Sequence, residues 1–332
     1  MSDTITTSRS VRDVQGVRER TVHWLVLGGN RVVVAAFLVL AVAAFCFVAA
    51  ELGLLAIGAD SAASAAFASG FISGTITLVT IALSINQLIL SRVFGSPNEL
   101  ADQLAGTRDL RRRLRERADE PVVPNDPAEF LELVAETLTD RANRLQDAVG
   151  DDHADADALH DFADGIALYG GRIADQIESQ TAIVEVLEVI LGTEYAQNLT
   201  ATQHVRNRFG DDLPSGACAE LDAIEDLLEA IAVTRQFFKT LSLQQDFARL
   251  SRVVAYSGLL ALTASVAMAL IYRTHSTTIP ESVLPLVFAV GIGVIVTPLV
   301  VFIAYVFRAA TIARHTVSVG PFVPPEERPN DD

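Results

Sequence analysis

Four stretches of this sequence run for about twenty residues or more without an Asp, Glu, Lys, Arg or His: 32–50, 62–90, 253–272 and 282–307. That length of apolar helix crosses a hydrocarbon layer of about 30 Å. Only a helix or a closed barrel satisfies its own backbone there. No strand-like alternation is convincing in this chain, so the pattern predicts an all-α polytopic membrane protein with four transmembrane helices in two hairpins. The second stretch is longer than one span needs, and its ends are expected outside the hydrocarbon.

The charge lies elsewhere. The sequence has 41 Asp and Glu against 25 Lys and Arg, a net charge of −16, although half its residues are hydrophobic. An excess of acid of that size repels phosphate and argues against nucleic acid as a partner. Lys239 is the single lysine, and arginine supplies the other basic residues. An acidic, arginine-based surface suits a high-salt cytoplasm, in which self-repulsion is screened. A halophilic archaeal origin is therefore expected.

Arginines bracket the spans at Arg31, Arg92, Arg252 and Arg308, and further basic residues cluster nearby at Arg9, Arg12, Arg18, Arg20, Arg108, Arg111–Arg113 and Arg314. The loop between the first two spans has Glu51 and Asp60 but nothing basic, and the last loop has only Arg273. By the positive-inside rule both termini and the middle segment are cytoplasmic, in a multi-pass protein of the plasma membrane. Ala66-Phe67-Ala68 matches a signal-cleavage pattern, but its apolar stretch begins too late and runs too long. The organisation read from the sequence is a cytoplasmic N-terminal segment (1–30), a first transmembrane hairpin (31–92), a cytoplasmic helical domain (93–251), a second hairpin (252–308) and a disordered cytoplasmic tail (309–332). Residues 11–24, with Trp24 as an interface anchor, read either as a short interfacial helix or as part of an unstructured tail.

Breakers divide the cytoplasmic segment. Ser96 or Asn98 is expected to cap a helix running to about Arg117. Asp126, followed by Pro127, caps a second through Phe130, Leu131, Val134, Leu138 and Leu145, which Gly150 stops. A third carries Leu159, Phe162, Ile166, Tyr169, Ile173, Ile177, Val184, Leu187 and Leu191 at heptad-like spacing. Residues 192–214 read as less regular. A last helix begins near Ser215 and continues unbroken into the third span. The heptads can pair as a bundle or coiled coil within the chain or between chains.

The second span is the most informative element. Ser69, Ser73, Thr77, Thr80, Ser84, Gln87 and Ser91 recur at steps of three and four, forming one polar stripe. Ala62, Ala66, Gly70 and Gly74 form a small-residue ladder beside it. Two readings stand: close packing against another helix, or a pathway lined by hydroxyls and amides. Ser257, Ala261, Ser265 and Ala269 repeat the small-residue pattern in the third span. Pro298, in the fourth, removes a backbone donor and is a candidate hinge.

Three weaker candidates lie in the cytoplasmic segment. Arg111, Arg112 and Arg113 belong to its basic cluster and are expected to meet lipid headgroups or to pair with Asp109, Glu116 and Asp119. His153, Asp157, His160, Asp161 and Asp164 share a helical face and form a weak metal surface, better read as a solvated acidic face. Cys46 and Cys218 form no CxxC and are not expected to bind zinc or pair. No nucleotide, hydrolase or metalloprotease motif is present. No catalytic residues and no cofactor are expected, and an enzyme is the least favoured class.

Residues 77–92 (TLVTIALSINQLILSR), followed by Phe94-Gly95-Ser96-Pro97, resemble a segment of uncharacterised multi-span membrane proteins of halophilic archaea. The resemblance covers a small part of the chain and implies no particular activity. Two functional classes follow from the residues. One is a homo-oligomer in the lipid bilayer whose second helix lines a path for a small ion or solute. The other is a non-transporting sensor or scaffold whose cytoplasmic helices bind a protein partner.

Overall fold

The computed structural model describes residues 7, 8, 21, 24–58, 61–93, 96–150, 155–177, 186, 187, 189, 190, 192, 194–272, 277 and 279–314. Every regular element among them is helical. After a π-helical turn at Trp24–Gly28 come α1 (Arg31–Glu51), α2 (Ile72–Val93), α3 (Pro97–Ala118), α4 (Pro127–Val149), α5 (Ala156–Ile177), α6 (Glu194–Phe209), α7 (Ser215–Ile271) and α8 (Leu284–Arg314). A short helix, Ala63–Ala65, and a π-helical stretch, Ala66–Phe71, lead into α2. Four helices are long and apolar enough to cross a membrane: Arg31–Glu51, Ala63–Leu88, Ser215–Ile271 and Glu281–Ile312.

The chain divides into two compact units. One comprises Met1–Gly16, Ser96–Ser242 and Ile312–Asp332; the other comprises Val17–Gly95 and Leu243–Thr311. The division falls within α7, whose 57 residues run without a break, as the lack of Gly or Pro near Ser242 implies.

The first, helical unit is built by caps and an apolar core. Ser96 caps α3 in a reciprocal box: its hydroxyl accepts from the Glu99 N–H, and the Glu99 carboxylate accepts from the Ser96 N–H. Asp126 accepts from the N–H groups of Ala128 and Glu129, with Pro127 at the first helical position. Gly150 ends α4 at φ 69°, a conformation that favours glycine. α5 then returns antiparallel along α4. The Gln146 amide donates to Asp164, and Thr139 Oγ1 donates to the Ala167 carbonyl. A Cβ on Gly170 would lie 2.7 Å from the Ala135 oxygen. The α5 heptads thus pair within the chain. Leu131, Leu138 and Leu145 of α4, Leu159, Ile166 and Ile173 of α5, and Ile224, Leu228 and Ile231 of α7 are all fully buried. Arginines from three helices then meet acids on α7: Arg117 with Asp226, Arg141 with Glu220, and Arg206 with Asp222 and Glu225.

One expectation is corrected. The stretch read as irregular holds a helix, Glu194–Phe209. Its buried face is Tyr195, Asn198, Leu199, Thr202, Val205 and Phe209, at helical spacing. Polar residues fill two of those positions, so apolar periodicity did not reveal it. The turn after Phe209 forms as expected. The third helix is continuous from Ala156 to Ile177; Val184 and Leu191 lie outside the described residues, as do 9–20 and the tail beyond Arg314.

The second, apolar unit holds two core clusters. One joins Ala35, Ala82, Leu250, Val254, Val301 and Tyr305. The other joins Phe67, Met268, Tyr272, Leu284, Ile292 and Ile295, and the Tyr272 hydroxyl donates to the Leu284 carbonyl at 3.0 Å. Small residues let the helices approach. Ala261 and Ser265 are fully buried, and the Ser265 hydroxyl bonds back to the Ala261 carbonyl. Gly258, between Ser257 and Ala261 on the same face, lies so close to α2 that a Cβ would collide with Val79 Cγ2. Replacing Gly258 with Val is expected to cost about 1–3 kcal/mol through overpacking. Adding Val79→Ala should restore most of that. Thermal unfolding in detergent measures both.

The outer surface of this unit is apolar as well. Phe37, Leu40 and Phe45 on α1, Leu259 and Leu260 on α7, and Phe307 on α8 are all exposed. Large apolar side chains exposed in such numbers on three helices fit contact with lipid or protein.

Candidate functional site

α2 and the π-helical stretch before it have two dissimilar faces. Phe67, Thr75 and Ala82 are buried within the unit. Phe67 stacks on Phe71 at 5.6 Å and lies 5.8 Å from Tyr272 and 6.0 Å from Phe288. Ser69, Ser73, Thr77, Thr80, Ser84, Gln87 and Ser91 are all exposed. Gly70 and Gly74 also face outward, with no atom within 4 Å of where a Cβ would stand. The whole predicted stripe is thus exposed on one face of the helix in the protomer. Residues 66–71, which include Ser69 and Gly70, are π-helical, a local widening frequent at functional sites.

The hydroxyls turn back on their own helix. Ser69 donates to Ala65, Thr77 to Ser73, Thr80 to Ile76 and Ser84 to Thr80, each at 2.8–2.9 Å. A hydroxyl has one donor and two acceptor lone pairs. With the proton committed inward, each presents oxygen acceptors outward. The stripe is an uncharged, acceptor-rich surface on an otherwise apolar helix.

A second feature escaped the sequence reading. Asp246 and Arg308 are 4% and 7% exposed and face one another at 3.4 Å, Oδ2 to Nε. Neither atom completes a hydrogen bond with a described residue. Burial pushes the Asp246 carboxyl above the usual carboxylate range, opposed by the charges of Arg308, Arg249 and Arg31. Arg31 is buried too, and its guanidinium donates to the carbonyls of Gly29, Leu25 and Trp24. It closes the C-terminal end of the π-helical turn, where a cation is favourable. Two of the arginines read as topology flags are therefore interior groups. The signal was available for Arg308: α8 contains no Asp or Glu, so a buried arginine there needs a partner from another helix.

Pro298 is buried in a helix that continues through it, with the Thr297 hydroxyl donating to the Gly293 carbonyl. Arg111 is bonded to the carbonyls of Pro124 and Val123 and to Asn125. Arg112 pairs with Asp109 and Glu116, and Arg113 with Asp109 and Glu229. All three are engaged within the chain. Asp119 pairs instead with Arg141 and Arg144. His153 lies outside the described residues. Among the described residues no group of three His, Cys, Asp or Glu stands together as a metal site, although Asp157, His160, Asp161 and Asp164 share α5.

A chain whose described elements are all helical, with four helices able to span a membrane and a second compact helical unit, defines a class rather than an activity. The chain belongs to DUF7972, a family of unknown function, over residues 1–332. No curated protein and no solved structure matches it.

Proposed function

We propose that the protein is a homo-oligomeric membrane protein in which the polar face of α2 meets its counterparts from other copies and lines a path for a small ion or solute. The observation that carries this reading is the exposure of the whole stripe in the protomer, alongside outward Gly70 and Gly74. Small residues with open space where a Cβ would stand suit close approach of a second helix. Acceptor oxygens favour water or a cation over an anion along such a surface.

The same reading puts four spans in the plasma membrane of a halophilic archaeon, with both termini and residues 93–251 in the cytoplasm. Arg92, Arg252 and the basic residues clustered near the span ends support this orientation. So does the bonding of Ser8 to Asn198 at 2.8 Å within the helical unit, because residues that touch lie on one side of a membrane. A scaffold role is the alternative, and the inward-bonded hydroxyls, already satisfied without a pore, are the observation that favours it.

Cysteine cross-linking in native membranes tests the oligomer. In a Cys46→Ser/Cys218→Ser background, Ser73→Cys and Thr77→Cys are expected to cross-link between copies, and Phe45→Cys on the lipid-facing side of α1 to cross-link far less. Equal and negligible cross-linking at all three positions would remove the oligomeric reading.

A further inference from the structure

Thr7 and Ser8 of the N-terminal segment are seated on the helical unit. Asn198, on α6, is fully buried. Its Oδ1 accepts from the Ser8 N–H at 2.8 Å, and its Nδ2 donates to the Ser8 carbonyl at 3.2 Å. One carboxamide thereby takes both backbone groups of one residue, as an adjacent strand would. It reads main chain, and an extended conformation, rather than a side chain. Thr202 supports it from the next turn, its hydroxyl bonded to the Asn198 carbonyl at 2.8 Å.

A second helix contributes independently. A Cβ on Gly165 of α5 would fall 2.6 Å from Thr7 Cβ, and the three nearest atoms around that position all belong to Thr7. The missing side chain is what admits Thr7. A glycine inside a helix costs stability relative to alanine, and here the cost is matched by a docked residue. Two features from two helices thus converge on consecutive residues of one extended segment.

We propose that Gly165 and Asn198 form a receptor for an extended peptide, one with a small hydroxyl residue followed by a residue with a free backbone N–H and C=O. Its resident ligand is this chain's own N-terminal segment, bound in cis. Thr7 and Ser8 fill the groove, which accepts another peptide only when they leave.

Two full-length variants in detergent and high salt test this. Gly165→Ala keeps, and by propensity strengthens, α5, but places a methyl group where Thr7 sits. Its N-terminal segment should become at least about tenfold more susceptible to trypsin at Arg9 and Arg12 than wild type, because cleavage follows the released population. Ser8→Pro removes the N–H that Asn198 accepts while leaving the groove intact. That variant should bind a fluorescent peptide of residues 1–16 saturably, at least about tenfold more tightly than wild type does, since the wild-type groove is filled. The same peptide carrying Ser8→Pro should not bind. Unchanged proteolysis of Gly165→Ala together with no peptide binding to a helical Ser8→Pro protein would overturn the proposal. So would labelled full-length protein showing that the segment is exchanged between copies rather than held in cis.

Discussion

Replacing Arg308 with methionine is expected to lower the stability of the apolar unit by about 3–5 kcal/mol, among the largest effects of any single substitution in this chain. The reason lies in what remains. Asp246 is almost wholly buried, with Arg308 as its nearest counter-charge at 3.4 Å. Without that arginine the carboxylate keeps its desolvation cost and loses its closest compensation. Because the pair is buried, added salt should not mask the effect as it would on a surface. The double variant Asp246→Leu/Arg308→Met should recover most of the loss, since an apolar pair of similar volume avoids burying charge. The pH dependence carries a definite sign. Asp246 has its folded-state pKa raised above the unfolded value. Its contribution is therefore favourable below the unfolded value of 3.8 and is lost as pH rises through the folded one. In Arg308→Met that pKa rises further, so stability should fall over a wider span of increasing pH, and the dependence should vanish in the double variant. Thermal unfolding in detergent across a pH series reads all of this.

The second large effect concerns assembly rather than folding. Leucine at both Gly70 and Gly74 is expected to leave the protomer folded and to abolish the oligomer. Neither glycine has an atom within 4 Å of its would-be Cβ, and both lie in helical backbone, where leucine is intrinsically preferred to glycine by several tenths of a kcal/mol or more. Inside the protomer the change should be neutral or slightly stabilising. Between copies, two leucines would hold apart backbones that glycine allows to touch. Mass measurement in detergent distinguishes the outcomes: protomers with unchanged thermal stability are expected, whereas an oligomer of wild-type mass would mean that this face is not the interface.

These contrasts show which parts of the molecule sequence could reveal. The four long apolar helices were legible because an uncharged apolar run of that length has few alternatives to a helix. α3 and α4 were legible through their punctuation, Ser96-Pro97 and Asp126-Pro127, which fixes a helix start by local chemistry alone. α6 was hidden because Asn198 and Thr202 occupy its buried face, and a periodicity argument counts apolar residues. Asp246 and Arg308 were hidden for a related reason. Both stand next to apolar spans, where charges ordinarily mark the water boundary, and only the packing of α7 against α8 turns them inward. The stripe on α2 was visible residue by residue, but the direction it faces was not, because helical spacing says which residues share a face and not what lies opposite. Gly165 gave no signal at all, since its neighbour is Thr7, far away in the chain.

The claim that matters most is that the outward face of α2 borders water shared between copies. Planar-bilayer recording of purified Thr77→Cys protein in the Cys46→Ser/Cys218→Ser background, at high salt, tests it most directly. The conductance is expected to fall when a charged methanethiosulfonate is added, and not to respond when Thr77 is left unchanged. The absence of conductance at every voltage and salt concentration, with a thiol at position 77 that the reagent does not reach, would contradict it.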